Sequence, residues 1–189
     1  VRPLVLASTS PQRRAILDQL GLPFRVETPA YEERALDLDP IALVEAHSRG
    51  KATSVSRRPG DGPALGVDTA VVIDDLVLGK PHDAEEARAM LRRLAGRRHE
   101  VVSGLTLVAG DGPVTGHAVT GVTFRPVDDA EIDSYVAMGE WRRRAAGYAI
   151  QGRGARLVAG VEGDYLNVVG LPAALLLDRL HDAGFAARE

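Results

Sequence analysis

Short apolar strands interleaved with helices, several strands doubling back as hairpins, restrict this chain to a mixed α/β sheet. The first strand–helix unit is the most telling. Leu4-Val5-Leu6 reads as a buried strand, and Ser8-Thr9-Ser10-Pro11 stops it. Ser10 suits a helix N-cap and Pro11 the first helical position. Ala15, Ile16, Leu17 and Leu20 follow as an apolar face, and Gly21 is a ready stop. Arg13 and Arg14 then stand in the first turn, where the helix dipole is already positive. Two readings fit locally: a capped surface helix with solvated arginines, or a helix start whose N–H groups, hydroxyls and guanidinium forks receive a phosphate.

Length and composition narrow the classes. The 189 residues suit one domain, or one domain with two lobes, and 45% hydrophobic content supports a real core. No cysteine is present, which excludes disulfides, thiolate chemistry and cysteine-bound zinc. No apolar stretch reaches the ~18 residues of a membrane span. No signal peptide is evident, so a cytoplasmic protein is expected. A net charge of −3 does not mark a nucleic-acid binder. Of 23 basic residues only two, Lys51 and Lys80, are lysine. A compact ammonium can grip a single phosphate oxygen where a planar fork cannot, so both are candidate site residues.

Along the chain, Phe24, Val26 and Thr28 alternate with Arg25 and Glu27 as a half-buried strand. Asp39-Pro40 opens a helix expected to reach about Ser56, with Val44, Ser48, Lys51 and Val55 on one face. An unpaired Lys51 would be expensive there. Leu65 to Ile73 and Leu76 to Leu78 form a hairpin about Asp74-Asp75, a register that sets Thr69 opposite Lys80 and gathers Asp68 with them. Asp83 with Glu86 starts a helix to about Ala95, ended by Gly96. His99 to Ala109 and Val114 to Arg125 read as strands about Asp111-Gly112-Pro113. Asp128 with Glu131 starts the next helix. Arg142-Arg143-Arg144 reads as solvated surface. The stretch Gly147 to Gly154, holding Gln151, is either a plain loop or a close approach to a ligand. Val158 to Val169 reads as a hairpin about Glu162-Gly163, and Pro172 to Leu180 as a closing helix.

Several motifs fail. Both lysines follow glycine, yet neither Gly50-Lys51 nor Gly79-Lys80 has the remaining residues of a P-loop. Gly152-Arg153-Gly154 lacks the third glycine of a dinucleotide fingerprint. The five histidines lack metal-ligand spacing and read as structural or exposed, and there is no serine-hydrolase elbow. What remains is Ser8, Ser10 and Arg13 at a helix start, Lys51, Lys80, Asp68 and the pair Glu32-Glu33. Cations with hydroxyls suit a polyphosphate, and one or two carboxylates with substrate phosphates suit Mg²⁺. Together they point to metal-assisted hydrolysis of a nucleotide polyphosphate.

LASTSPQRRAIL, Glu33, Arg49-Gly50-Lys51-Ala52, GVDTAVV, LGKPHDAEEARAMLRRLAGRRHEV, GYAIQG and NVVGLP occur in that order. As a set they resemble the Maf family of nucleoside triphosphate pyrophosphatases, over nearly the whole length. The resemblance implies an α/β fold with a mixed twisted sheet, flanking helices and a deep central cleft, similar to inosine triphosphate pyrophosphatases, often as a homodimer. It implies hydrolysis of a nucleoside triphosphate to monophosphate and pyrophosphate with Mg²⁺ or Mn²⁺. By position, Ser8, Arg13, Lys51 and Lys80 would hold the triphosphate. Glu33 and Asp68 would bind metal, and Asp68 would act as the base. Ser10, Gln12, Thr69 and Gln151 are the further substrate-binding candidates, and Arg14 is expected to face away or to support structure. Thr69 and Gln151 resemble the branch acting on dTTP and UTP; the branch acting on 7-methyl-GTP tends to carry Gln and Glu there. Gln12 departs from the Arg usual in the first branch and bears on base preference. His47-Ser48 replaces the commoner Leu-Ala, which would loosen helix packing or set a hydroxyl by the phosphates. The alternative function is a non-catalytic nucleotide-binding regulator of cell division.

Overall fold

Residues 2–34, 36–110 and 112–185 are described by a computed structural model. Seven strands form one sheet in the order β2-β1-β3-β5-β6-β7, with β4 paired to β3. The strands are β1 (Leu4–Leu6), β2 (Phe24–Val26), β3 (Ala64–Ile73), β4 (Leu76–Leu78), β5 (Arg98–Ala109), β6 (Gly112–Phe124) and β7 (Val158–Glu162). The sheet is mixed, as the interleaved pattern requires: β1 runs parallel to β2 and β3, whereas β3–β4 and β6–β7 are antiparallel. The helices are α1 (Pro11–Gln19), α2 (Pro40–Thr53), α3 (Ala84–Leu94), α4 (Asp129–Ala137), α5 (Tyr165–Val169) and α6 (Ala173–Asp182). None of the described helices is long and apolar enough to cross a membrane. The chain divides into two compact units, residues 1–69, 103–118 and 170–189, and residues 70–102 and 119–169.

In the first unit, α1 buries Ile16 and Leu17 while Ala15 is exposed, a narrower face than the sequence suggests. Gly21, at φ 65°, ends the helix, with Leu22 N–H bonded to the Leu17 carbonyl at 3.1 Å in a Schellman-type closure. Asp39 caps α2, accepting from Ile41 N and Ala42 N at 3.0 Å. This helix stops at Thr53, three residues before the expected Ser56, so Val55 lies outside it. Strand alternation turns Gly66 and Asp68 of β3 and Gly104 and Thr106 of β5 toward α2. A Cβ on Gly66 would lie 2.1 Å from the Ser48 carbonyl oxygen, and one on Gly104 2.2 Å from that of Val44. The helix backbone therefore rests directly on two glycines. Ser48 Oγ bonds Thr106 Oγ1 at 2.9 Å and donates to the Glu45 carbonyl. The Ser48 hydroxyl is thus committed to Thr106 of β5 and to its own helix, and His47 to Tyr31.

The second unit packs Val71, Leu91, Phe124, Tyr135, Trp141 and their neighbours into one apolar cluster. Asp83 caps α3 through Glu86 N, while Glu86 reaches back to His82 N at 2.7 Å. The β3–β4 register is Ile73 to Leu76, as the hairpin predicts, but the ladder ends at Val71–Leu78. Ala146 N–H takes the Gly79 carbonyl at 2.9 Å, so strand pairing does not extend to a Thr69–Lys80 pair. Val158 to Val169 is not a hairpin. After β7 the Asp164 side chain accepts from Leu166 N and Asn167 N, and this cap starts α5. In the expected turn between β5 and β6, Asp111 lies outside the described residues.

Candidate active site

Ser8 is the first hydroxyl beyond β1 and is buried. Its Oγ accepts from Ser10 N at 3.2 Å and from Arg13 Nη1 at 3.1 Å. Ser10 occupies the N-cap position of α1 without a side-chain cap; its hydroxyl instead donates to Gln12 Oε1 at 3.2 Å. The start of α1 therefore keeps its positive field uncapped by Ser10 and adds the guanidinium of Arg13, an arrangement suited to an anion. Arg13 is fixed further by Nε donating to the Gly170 carbonyl at 2.9 Å and by a longer 3.4 Å contact from Nη2 to Thr69 Oγ1. Burial pushes the Arg13 pKa down, and the charges of Asp68 and Glu33 push it back up. An arginine so placed stays cationic. Arg14 is exposed, in a shallow surface depression with Pro11, Ala15 and Asp18, and so faces away as expected.

Adjacent residues on β3 diverge to opposite faces. Asp68 meets α2, where Lys51 Nζ donates to its Oδ1 at 2.6 Å. Thr69 meets β5, where its hydroxyl and that of Ser103 are 2.9 Å apart. Lys51 Nζ is also 2.5 Å from Glu33 Oε1, so one buried ammonium is shared by two carboxylates. This pairing resolves the cost of a lysine on the sheet-facing side of α2. Two carboxylate oxygens converging on one cationic atom make a donor set that suits a hard divalent ion once substrate phosphates complete its shell. Among the described residues no group of three or more His, Asp or Glu gathers as a metal cage.

Ser8, Arg13 and Thr69 are thus linked, as are Glu33, Lys51 and Asp68, and Ser10 with Gln12. Lys80 and Gln151 belong to the second unit and are both exposed. Ser103, fully buried, is a partner that sequence reasoning missed, because a serine between Val102 and Gly104 in a strand has no distinguishing pattern. The carbonyl of Gly170 was missed for a plainer reason: backbone acceptors carry no residue signature. Glu32 forms only a 3.7 Å ion pair with Arg34 at the surface, with both side chains some four-fifths exposed, so of the acidic pair Glu33 alone reaches Lys51.

A family model described as Maf-like protein matches residues 3–183. The chain belongs to the Maf family. It is 46% identical to a Symbiobacterium thermophilum protein named dTTP/UTP pyrophosphatase, over 96% of this chain and 94% of that one. A Moorella thermoacetica protein of the same name is 50% identical over 89% of each chain. A Thermus thermophilus protein, again of that name, is 44% identical over 97% of this chain and 96% of its own. Among solved structures, the Staphylococcus aureus Ham1 protein aligns with a TM-score of 0.44 at 12% identity, over 65% of this chain and 72% of that one, a likeness too slight to carry an argument.

Proposed function

We propose that this Maf protein hydrolyses nucleoside triphosphates, dTTP and UTP foremost, to the monophosphate and pyrophosphate. The observation that carries the reading is the shared Lys51 ammonium, 2.5 Å from Glu33 and 2.6 Å from Asp68, in a chain akin to relatives named for that activity. The helix start with Ser8 and Arg13 receives phosphate oxygens, and Arg13 and Lys51 neutralise charge as the α–β phosphoanhydride breaks. Asp68 takes the proton from the water that attacks the α-phosphorus. Glu33 and Asp68 are the residues that would hold Mg²⁺ or Mn²⁺, which when bound would polarise the phosphate oxygens. Lys80, for the phosphates, and Gln151, for the base, are assigned by the resemblance alone. Thr69 is a further base-selecting candidate, held in place by Ser103, and Gln12 is another, its amide oxygen engaged by Ser10. The resemblance also implies a homodimer in the cytoplasm. A non-catalytic regulator is not favoured, since the relatives carry an enzyme's name.

Incubation with a nucleotide panel and Mg²⁺ is expected to yield monophosphate and pyrophosphate; orthophosphate as the product would overturn the bond assignment. Asp68→Asn keeps the shape of the carboxylate but removes the base. Turnover should fall by about 10²–10⁴, with the circular dichroism spectrum kept. Undiminished turnover would remove Asp68 from the role.

A further inference from the structure

Glu27 N–H still bonds the Leu6 carbonyl at 3.0 Å, but residues 28–34, which bring Glu33 to Lys51, form neither helix nor strand, so side-chain anchors bear on where Glu33 lies. Tyr31 is such an anchor. Its hydroxyl is 2.9 Å from Nδ1 of His47, a buried histidine 6% exposed on α2. The two rings meet edge-on, with centroids 5.8 Å apart and planes at 63°. The tyrosine ring also lies over Gly50, one helical residue before Lys51. A Cβ at Gly50 would come within 2.2 Å of Tyr31 Cε2, so the ring occupies the space any other side chain would need. Glycine inside a helix is unfavourable by about 1 kcal/mol against alanine, and here the ring of Tyr31 is what its absent side chain admits. His47 and Gly50 thus form a fitted seat, with a polar end and a flat floor, for one aromatic side chain two residues from Glu33.

We propose that Tyr31, His47 and Gly50 act as a latch, positioning Glu33 at Lys51 and thereby setting how readily the two carboxylates take a divalent cation. These are positioning residues, not catalytic ones. The effect on the cation rests on the reading of Glu33 as a metal ligand; the latch itself does not.

The test uses the full chain and four variants. Tyr31→Phe keeps the ring and removes the hydroxyl. His47→Leu removes the ring nitrogen that bonds Tyr31, and His47→Asn restores a hydrogen-bonding group near the position of Nδ1. Gly50→Ala improves helix propensity while displacing the ring. Tyr31→Phe and His47→Leu are expected to raise the Mg²⁺ concentration for half-maximal hydrolysis about fivefold, the loss of one net hydrogen bond. The kcat at saturating Mg²⁺ should stay near that of the parent, and amide exchange of residues 30–34 in the metal-free protein should quicken. His47→Asn should recover both measures. Gly50→Ala should show the same weakened metal response without a lower Tm. Unchanged half-saturation and unchanged exchange in both Tyr31→Phe and His47→Leu would overturn the latch, as would a fall in kcat and Tm with half-saturation and exchange both unmoved. Glu33→Gln separates the two layers. If it leaves half-saturation at the parent value, Glu33 is not a metal ligand and that reading fails, while the exchange rates still decide the latch.

Discussion

The Arg13 guanidinium is gripped from several directions, by Ser8 Oγ, by the Gly170 carbonyl and, at longer range, by Thr69. Gly170 sits at φ 131°, a conformation that side chains of L-residues rarely adopt. Gly170→Ala has open space for its methyl group but strains the backbone, by about 1–3 kcal/mol, and turns the carbonyl away from Nε. We expect kcat/KM for the triphosphate to fall about tenfold, a change of ~1.4 kcal/mol, in a steady-state titration against the parent; the same value as the parent would separate Gly170 from Arg13. Candidate site residues that are chemically out of place could be read directly from sequence. Arg13 stands against a helix dipole, Lys51 lies on a sheet-facing helix side, and Asp68 interrupts an apolar strand. Ser103, Tyr31 and the Gly170 carbonyl could not, since each acts through a fold-dependent neighbour far along the chain.

Local chemistry explains most elements. Asp39, Asp83 and Asp128 each accept helix N–H groups as the capping pattern predicts, and α2, α3 and α4 begin just after them. The α5 segment escaped because Val168 and Val169 favour a strand reading, while the Asp164 cap and the pairing of β7 with β6 decide otherwise. The β3–β4 turn shows the opposite case, a register that was legible despite poor turn residues. Asp74 and Asp75 take φ of 52° and 60°, the left-handed pair of a type I′ turn, where glycine is preferred second. Asp74 is bound to Arg97 at 2.6 Å, so only Asp75 is dispensable. Asp75→Gly should stabilise the protein by about 0.5–1 kcal/mol, raising Tm by roughly 1–4 °C in a thermal melt, with activity unchanged.

At the scale of the molecule, the two units differ in what holds them. The first unit's sheet contact is threaded with polar groups: Ser48, Thr106 and Thr115 share hydroxyl bonds of 2.9 Å. The second buries an aromatic cluster around His99, whose Nε2 is 2.8 Å from the Tyr148 hydroxyl and whose ring packs edge-on to Phe124 and Tyr148. Burial pushes the His99 pKa down to about 4 from 6.5, aided by the charge of Arg98. Between those values the unfolded chain binds the proton more readily, so stability is fully present above pH 6.5 and falls as the medium is acidified toward 4. The total is about 3 kcal/mol. Paired carboxylates such as Glu131, lowered from 4.5 by Arg125, lose their contribution only in more acidic solution. Urea melts between pH 7 and 5 should therefore show a decline that His99→Gln flattens; an equal slope in the variant would assign the decline elsewhere. The first unit carries a different vulnerability, in the bare backbone contact of α2 with Gly66 and Gly104. A single methyl group at either position would lift the helix and draw Lys51 off Asp68. Random mutagenesis scored for lost turnover should then return these two inert glycines beside the acids and bases. A catalogue of important positions drawn from chemistry alone would leave out both.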